Sequence, residues 1–223
     1  MIPDRLTSFM KDNGSLETQV AGQIFHSQDF AETLFMLESG FVKRYQITQD
    51  NKRTIELIYG PGHIFPLSQL YKRLFGIEQN QDNLVYVYQA MTDVEIIRVN
   101  DDIVLEALEK EPMMFIDLFY EGGLRLKSNI ERLASNALPD EYKKIAHQLV
   151  SLADEFGETI GEIGEHAVKI AVPLEPIDMA EQLNISLKVA EAVLASLNQS
   201  GYIRTDNGII SIPDVDLLKD TYL

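Results

Sequence analysis

The chain has 223 residues, 45% of them hydrophobic and 24% charged, which suits one large or two small globular domains and argues against global disorder. It contains no cysteine, which excludes disulfides, thiol catalysis, cysteine-type zinc sites and cysteine-ligated iron–sulfur clusters. The 19 basic residues stand against 35 acidic ones, and a net charge of −16 repels nucleic acid and anionic membrane at long range unless basic groups are concentrated locally.

In chain order, the opening MIPDRLTSFMKDNG lacks the basic-then-apolar pattern of a secretory signal, and no later apolar run approaches the roughly 18–20 residues of a membrane span. A cytoplasmic, bacterial-type protein with no membrane partner is expected. Residues 1–110 read as β-rich. Phe41 to Thr48 alternates with Phe41, Lys43, Tyr45 and Ile47 on one face, and Thr54 to Tyr59 is a second β-branched and aromatic run. Gln49-Asp50-Asn51-Lys52 between them is polar turn chemistry at hairpin length, and Gly60-Pro61-Gly62 closes the second run. Val85 to Tyr88 and Val94 to Val99 add further short strands, so an antiparallel sandwich or roll is predicted.

From Glu111 the pattern becomes helical. Ile116, Phe119, Gly123, Leu126, Ile130, Leu133 and Ala137 follow an unbroken 3-4 spacing, which suits a dimer seam or an amphipathic helix packed on its own domain. Gly122-Gly123 either admits a partner helix closely or marks a point that bends; each glycine costs about 1 kcal/mol against alanine. Leu138-Pro139-Asp140-Glu141 reads as a boundary and a new helix start, with Tyr142, Ile145, Ala146, Leu149, Leu152, Ala153 and Phe156 as its apolar face. Gly157 to Glu165 reads as a loop.

The last fifty residues carry the most specific pattern. A short helix over Ile177 to Leu183 and a three-residue turn, Asn184-Ile185-Ser186, precede a second helix from Leu187 to Asn198. Gly201 stands where a helix C-terminus wants glycine, and Tyr202 to Ile212 forms a hairpin about an Asn207-Gly208 turn. This is the pattern of a winged helix-turn-helix, the alternative being a helical hairpin used only for packing. Ser186 suits an N-cap that leaves the helix's first N–H groups facing an anion such as a phosphate.

The chain resembles the Crp/Fnr-type transcription regulators of the cyclic AMP receptor protein superfamily. The residues carrying the resemblance are Leu34 to Gly40 (LFMLESG), the Pro61-Gly62 turn into Phe65, and Ala90 to Glu95 (AMTDVE). They continue as P-L-x-x-I-D-M-A-x-x-L-x-I-S from Pro173 to Ser186 and L-x-x-x-G-Y-I from Leu197 to Ile203. The resemblance implies an α+β fold. Residues 1–110 form a cyclic-nucleotide-binding-like antiparallel β-roll, 111–137 a dimerisation helix, and 138–223 a winged helix-turn-helix domain. It implies a homodimer acting on DNA. RNA polymerase or another regulator is a further expected contact, and no enzyme is expected, because the sequence shows no nucleophile–base arrangement, P-loop or catalytic metal motif.

The chain also departs from the family's patterns. Where cyclic-AMP-binding members place a Gly-Glu pair for the ribose and an Arg-small pair for the phosphate, Pro66-Leu67 and Asp82-Asn83 stand, and no Arg or Lys occurs from Phe75 to Ile97. Lys72 and Arg73 read as an exposed helix face. A response to cyclic AMP by the usual cassette is therefore not expected. Phe65, Leu67, Tyr86 and Tyr88 are candidates for an apolar effector pocket, or ordinary core filling. Haem-binding relatives use histidine, but His26, His63, His147 and His166 show no ligand spacing, nor does the Glu162–His166 pair mark a metal site. No cofactor or metal is expected.

In the reading helix, the family's S-R-E-T-x-x-R pattern aligns with Ser186-Leu187-Lys188-Val189-Ala190-Glu191-Ala192, so both arginines are replaced. Residues 171–223 hold three basic and eight acidic side chains, a net of −5. Weak or unusual DNA specificity follows, with Ser186, Leu187, Lys188, Glu191 and the wing's Arg204 as contact candidates. The alternative is an acidic protein-interaction module that keeps the fold and has lost specific DNA reading.

Overall fold

Helix α1 (Asp4–Asn13) opens the computed structural model, which describes residues 4–25, 30, 32–48, 51–76, 85–161 and 166–223. Strands β1 (Ser15–Gln19), β2 (Ile24–Phe25), β3 (Thr33–Ser39), β4 (Val42–Ile47), β5 (Arg53–Tyr59) and β6 (Ile64–Phe65) follow. Helix α2 (Leu67–Phe75), strands β7 (Val85–Ala90) and β8 (Val94–Asn100) and helix α3 (Asp101–Lys110) lead into the long α4 (Met114–Ala137). The rest comprises α5 (Glu141–Phe156), β9 (Gly157–Thr159), β10 (Val168–Ile170), α6 (Pro176–Leu183), α7 (Leu187–Gln199), β11 (Arg204–Asp206), β12 (Ile209–Ile212) and α8 (Val215–Tyr222). The chain divides into two compact units, one of residues 1–52 and 57–127, the other of 53–56 and 128–223, with the division falling inside α4.

The first unit is the expected roll of two four-stranded sheets, ordered β1-β8-β3-β6 and β2-β7-β4-β5. Antiparallel registers run from Thr33 opposite Asn100 to Ser39 opposite Glu95, and from Val42 opposite Ala90 to Ile47 opposite Val85. Gln49 and Asp50 of the expected hairpin turn lie outside the described residues; beside them the Thr48 N–H donates to the Lys52 carbonyl at 3.0 Å. The unbroken β4–β7 register puts Lys43, Tyr45 and Ile47 on one face, but burial does not follow that face. Val42 and Tyr45 are its buried residues, and Phe41, Lys43 and Ile47 are half-buried. One core cluster is aromatic: Phe25, Phe35, Phe65 and Tyr88 pack with ring centroids 5.3–5.8 Å apart. A second gathers Leu6 and Met10 of α1, Leu67 and Leu70 of α2, Val104 and Leu108 of α3, and Met114 and Leu118 of α4. Three helices thus lie in the stretch read as β-rich, because short amphipathic segments such as α1 and α3 declare themselves only when a sheet covers their apolar side.

Helix α4 starts three residues later than the 111–137 reading, and beyond Met114 and Leu118 its buried side is polar while an apolar stripe faces outward. Asp117, Glu121, Arg125, Arg132 and Ser135 are buried, whereas Ile116, Phe119, Leu126, Ile130 and Leu133 are all more than half exposed. Gly122 lies against Tyr71, whose hydroxyl donates to the Leu118 carbonyl at 3.1 Å; a β-carbon there would clash with that hydroxyl. Gly123 faces open space. The glycine pair therefore splits its duties: one makes room for Tyr71, and the other lies on the exposed apolar stripe.

In the second unit, Asp140 caps α5 by accepting from the Lys143 N–H at 3.1 Å. Gly157 to Thr159, read as loop, instead forms β9, paired antiparallel with β10. Its three residues are all exposed, so the strand is held by backbone pairing and carries no hydrophobic period for a sequence to display.

Candidate nucleic-acid interface

Helices α6 and α7 are built by local rules. Pro176 occupies the first turn of α6, where its missing N–H costs nothing, and the Glu175 N–H donates to the Asp178 carboxylate at 3.0 Å. Asn184 ends α6 in the left-handed conformation (φ 54°), a region asparagine tolerates better than most residues. Two residues later Ser186 caps α7, its hydroxyl accepting from the Val189 N–H at 3.3 Å. The far end closes by a Schellman motif: the Gly201 N–H donates to the Asn198 carbonyl at 3.1 Å and the Tyr202 N–H to the Leu197 carbonyl at 3.0 Å, with Gly201 at φ 79°. The wing is the β11–β12 hairpin, whose Asn207 (φ 49°) and Gly208 (φ 81°) take the two positive angles a two-residue turn requires.

Ala190, Val193, Leu194 and Leu197 of α7 are buried, which turns Leu187, Lys188, Glu191, Ala192, Ala195 and Asn198 outward as one stripe. Ser186, Leu187, Lys188 and Glu191 thus share the exposed first turns of α7, and Arg204 is exposed at the start of β11. Sequence reasoning missed Asn198, whose side-chain carbonyl accepts from the Thr205 N–H at 3.3 Å and ties the wing to the reading helix. Asparagine near a helix end carries no distinctive signal. Not all the acidity of this region is free surface charge: Asp178 is buried in its cap, Asp214 caps α8, and Asp216 lies 3.2 Å from His166.

The effector candidates separate. Phe65 and Tyr88 are stacked in the aromatic core, Leu67 belongs to the other cluster, and Tyr86 is exposed beneath the Arg44 guanidinium at 5.0 Å. Pro66 is the N-cap of α2, and Asp82-Asn83 lie outside the described residues. Arg73 lies exposed on the helix, as read, and its guanidinium is paired with Asp102 and Asp101, which hold its pKa above the ordinary value.

Of the histidines, His26 lies outside the described residues, as does Glu162. His147 Nδ1 is 2.8 Å from the Ser135 hydroxyl, and His63 is buried. The His63 Nδ1 accepts from the Gly60 N–H at 2.9 Å, while its Nε2 stands 3.1 Å from Arg125. Burial first, and the Arg125 charge second, push the His63 imidazole well below its ordinary value, so it is neutral at pH 7. Arg125 also donates to the Ile58 carbonyl at 3.2 Å and lies 3.4 Å from the Glu121 carboxylate.

A β-roll and a long helix with an outward apolar stripe are followed by a capped winged helix-turn-helix, the architecture of a two-unit chain with a nucleic-acid-binding type of C-terminal fold. Residues 143–221 match the Crp-like helix-turn-helix domain. The chain is similar to the nitrogen fixation regulation protein FixK of Azorhizobium caulinodans, 20% identical over 181 residues that cover 81% of this chain and 67% of that one. In fold it is similar to FixK2 from Bradyrhizobium japonicum, with a TM-score of 0.72, 16% identity, and 93% and 96% of the two chains covered. A CooA mutant from Carboxydothermus hydrogenoformans gives a TM-score of 0.70 at 17% identity, covering 97% of this chain and 90% of that one. The chain thus carries a Crp-like helix-turn-helix domain over residues 143–221 and is similar along most of its length to FixK. The matched FixK is by name a nitrogen fixation regulation protein.

Proposed function

We propose that this chain is a Crp/Fnr-type transcription regulator, a homodimer joined along Ile116, Phe119, Gly123, Leu126, Ile130 and Leu133, reading DNA through the first turns of α7. The carrying observation is the outward stripe that begins at the Ser186 cap: Lys188 and Glu191 are its charged side chains there, and the uncapped N–H groups of the first turn suit a phosphate. Lys188 donates to a guanine edge, Glu191 accepts from a cytosine amine, and Leu187 meets a thymine methyl. Arg204 in the wing neutralises backbone phosphate. The outward stripe of α4 supports the dimer, because Ile116, Phe119, Leu126, Ile130 and Leu133 are left outside while Met114 and Leu118 pack into the core. Cyclic AMP is not the effector by the usual cassette, a reading supported by Leu67 buried in the core and Arg73 engaged by two aspartates. Contact with RNA polymerase or another regulator and a cytoplasmic location belong to the same proposal. Among the described residues no helix is long and apolar enough to cross a membrane.

The test is a randomised-site selection on the parent, Lys188→Ala and Arg204→Ala at two salt concentrations. Lys188→Ala is expected to change the preferred sequence, at a cost of about 1–3 kcal/mol for one base contact. Arg204→Ala is expected to weaken all sequences alike and lower the salt slope by about one. No enrichment by the parent at either salt refutes the DNA reading.

A further inference from the structure

The C-terminal end of α6 is closed by side chains from another helix. Carbonyls in the last turn of a helix lack intrahelical partners. That of Gln182 accepts from the Asn136 side-chain amide at 2.9 Å and from Arg132 Nη1 at 3.5 Å, both on the last two turns of α4. The same Asn136 amide nitrogen donates to the Arg132 carbonyl at 3.1 Å, so one of its hydrogens holds the side chain on its own helix while the other points at α6. The Arg132 guanidinium, buried to 8% exposure, places positive charge at the negative end of the α6 dipole. On its other side Gln182, 2% exposed, accepts through its side chain from Gln148 of α5 at 2.8 Å.

Only Leu183, Asn184, Ile185 and Ser186 separate Gln182 from the first residue of α7, and the Asn184 and Ile185 N–H groups both donate to the Ala180 carbonyl. The turn is closed on itself: few residues and two hydrogen bonds link the end of α6 to the start of α7. We propose that the Arg132–Asn136 clamp on the Gln182 carbonyl is the joint that sets the angle of α7 against α4, with Asn136 the positioning residue. This rests on the DNA-reading proposal above, since the angle matters by aiming α7 at a half-site.

The experiment exploits the absence of cysteine. Spin labels at Ala134→Cys on α4 and Gln199→Cys on α7, both exposed positions, report the α4–α7 distance by pulsed electron resonance in the full chain diluted with unlabelled protein. The parent is expected to give one narrow distance, broadened or shifted in Asn136→Ala and in the isosteric Asn136→Asp, which cannot donate. Gln148→Met, which disturbs the neighbouring amide pair and spares the clamp, is expected to keep the parental distribution. In a selection over half-site spacers, both Asn136 variants lose about fivefold of the enrichment at the preferred spacing, the population change that one hydrogen bond of ordinary strength allows. A parental distance in both Asn136 variants overturns the proposal, as does equal broadening in Gln148→Met, which marks generic loosening. A parent without enrichment refutes DNA reading alone, and the distances still decide the joint.

Discussion

Changing Leu126 and Ile130 together to Lys is expected to separate the protomers without unfolding them. In the single chain the two residues are 61% and 54% exposed, so they contribute little to the protomer's own core. Lysine and leucine also have similar helix propensity. Full burial of such a side chain is worth roughly 1.5–3 kcal/mol, so the share still exposed is worth about 1.3 kcal/mol per residue. Two residues from each of two protomers bring the loss to about 5 kcal/mol, or three to four orders of magnitude in the dimer Kd. Sedimentation equilibrium over a dilution series, beside a thermal melt by circular dichroism, separates association from folding. A double variant whose Kd matches the parent's refutes the seam. One that loses its cooperative melt refutes the claim that these residues lie outside the protomer core.

His63 makes stability depend on pH. Its folded value is depressed below the unfolded value of about 6.5, so the unfolded chain takes up the proton first; the contribution is complete above that pH and is lost as pH falls below it. Between pH 7.5 and 5.5 the parent should lose about 1.4 kcal/mol more than His63→Gln in urea melts, and equal losses would show that His63 is not held neutral. Gly123→Ala should stabilise the isolated protomer by about 1 kcal/mol, as helix propensity alone dictates, whereas Gly122→Ala should be destabilising through Tyr71; denaturant midpoints order the two variants. Calorimetric titration with cyclic AMP or cyclic GMP should show no micromolar binding, and tight binding would mean that a basic residue other than Arg73 takes the phosphate.

Local patterns made much of the architecture legible. The 3-4 spacing of Ile116 to Leu133 placed a long helix with its apolar stripe, and the Asn184, Ser186, Gly201 and Asn207-Gly208 signals placed the turn, the second helix and the wing, because caps and turns are decided within a few residues. The same locality hid what holds α4 from its other side. Asp117, Glu121, Arg125 and Arg132 carry no local signal of burial, yet they are buried, with partners that include the Leu6 N–H, the Ile64 N–H, the Ile58 carbonyl and the Gln182 carbonyl. Those partners are backbone groups 50 to 111 residues away, and a backbone N–H or C=O is present whatever the side chain. A charged residue that finds such a group is buried, and one that does not stays in water; only the tertiary path of the chain decides between them.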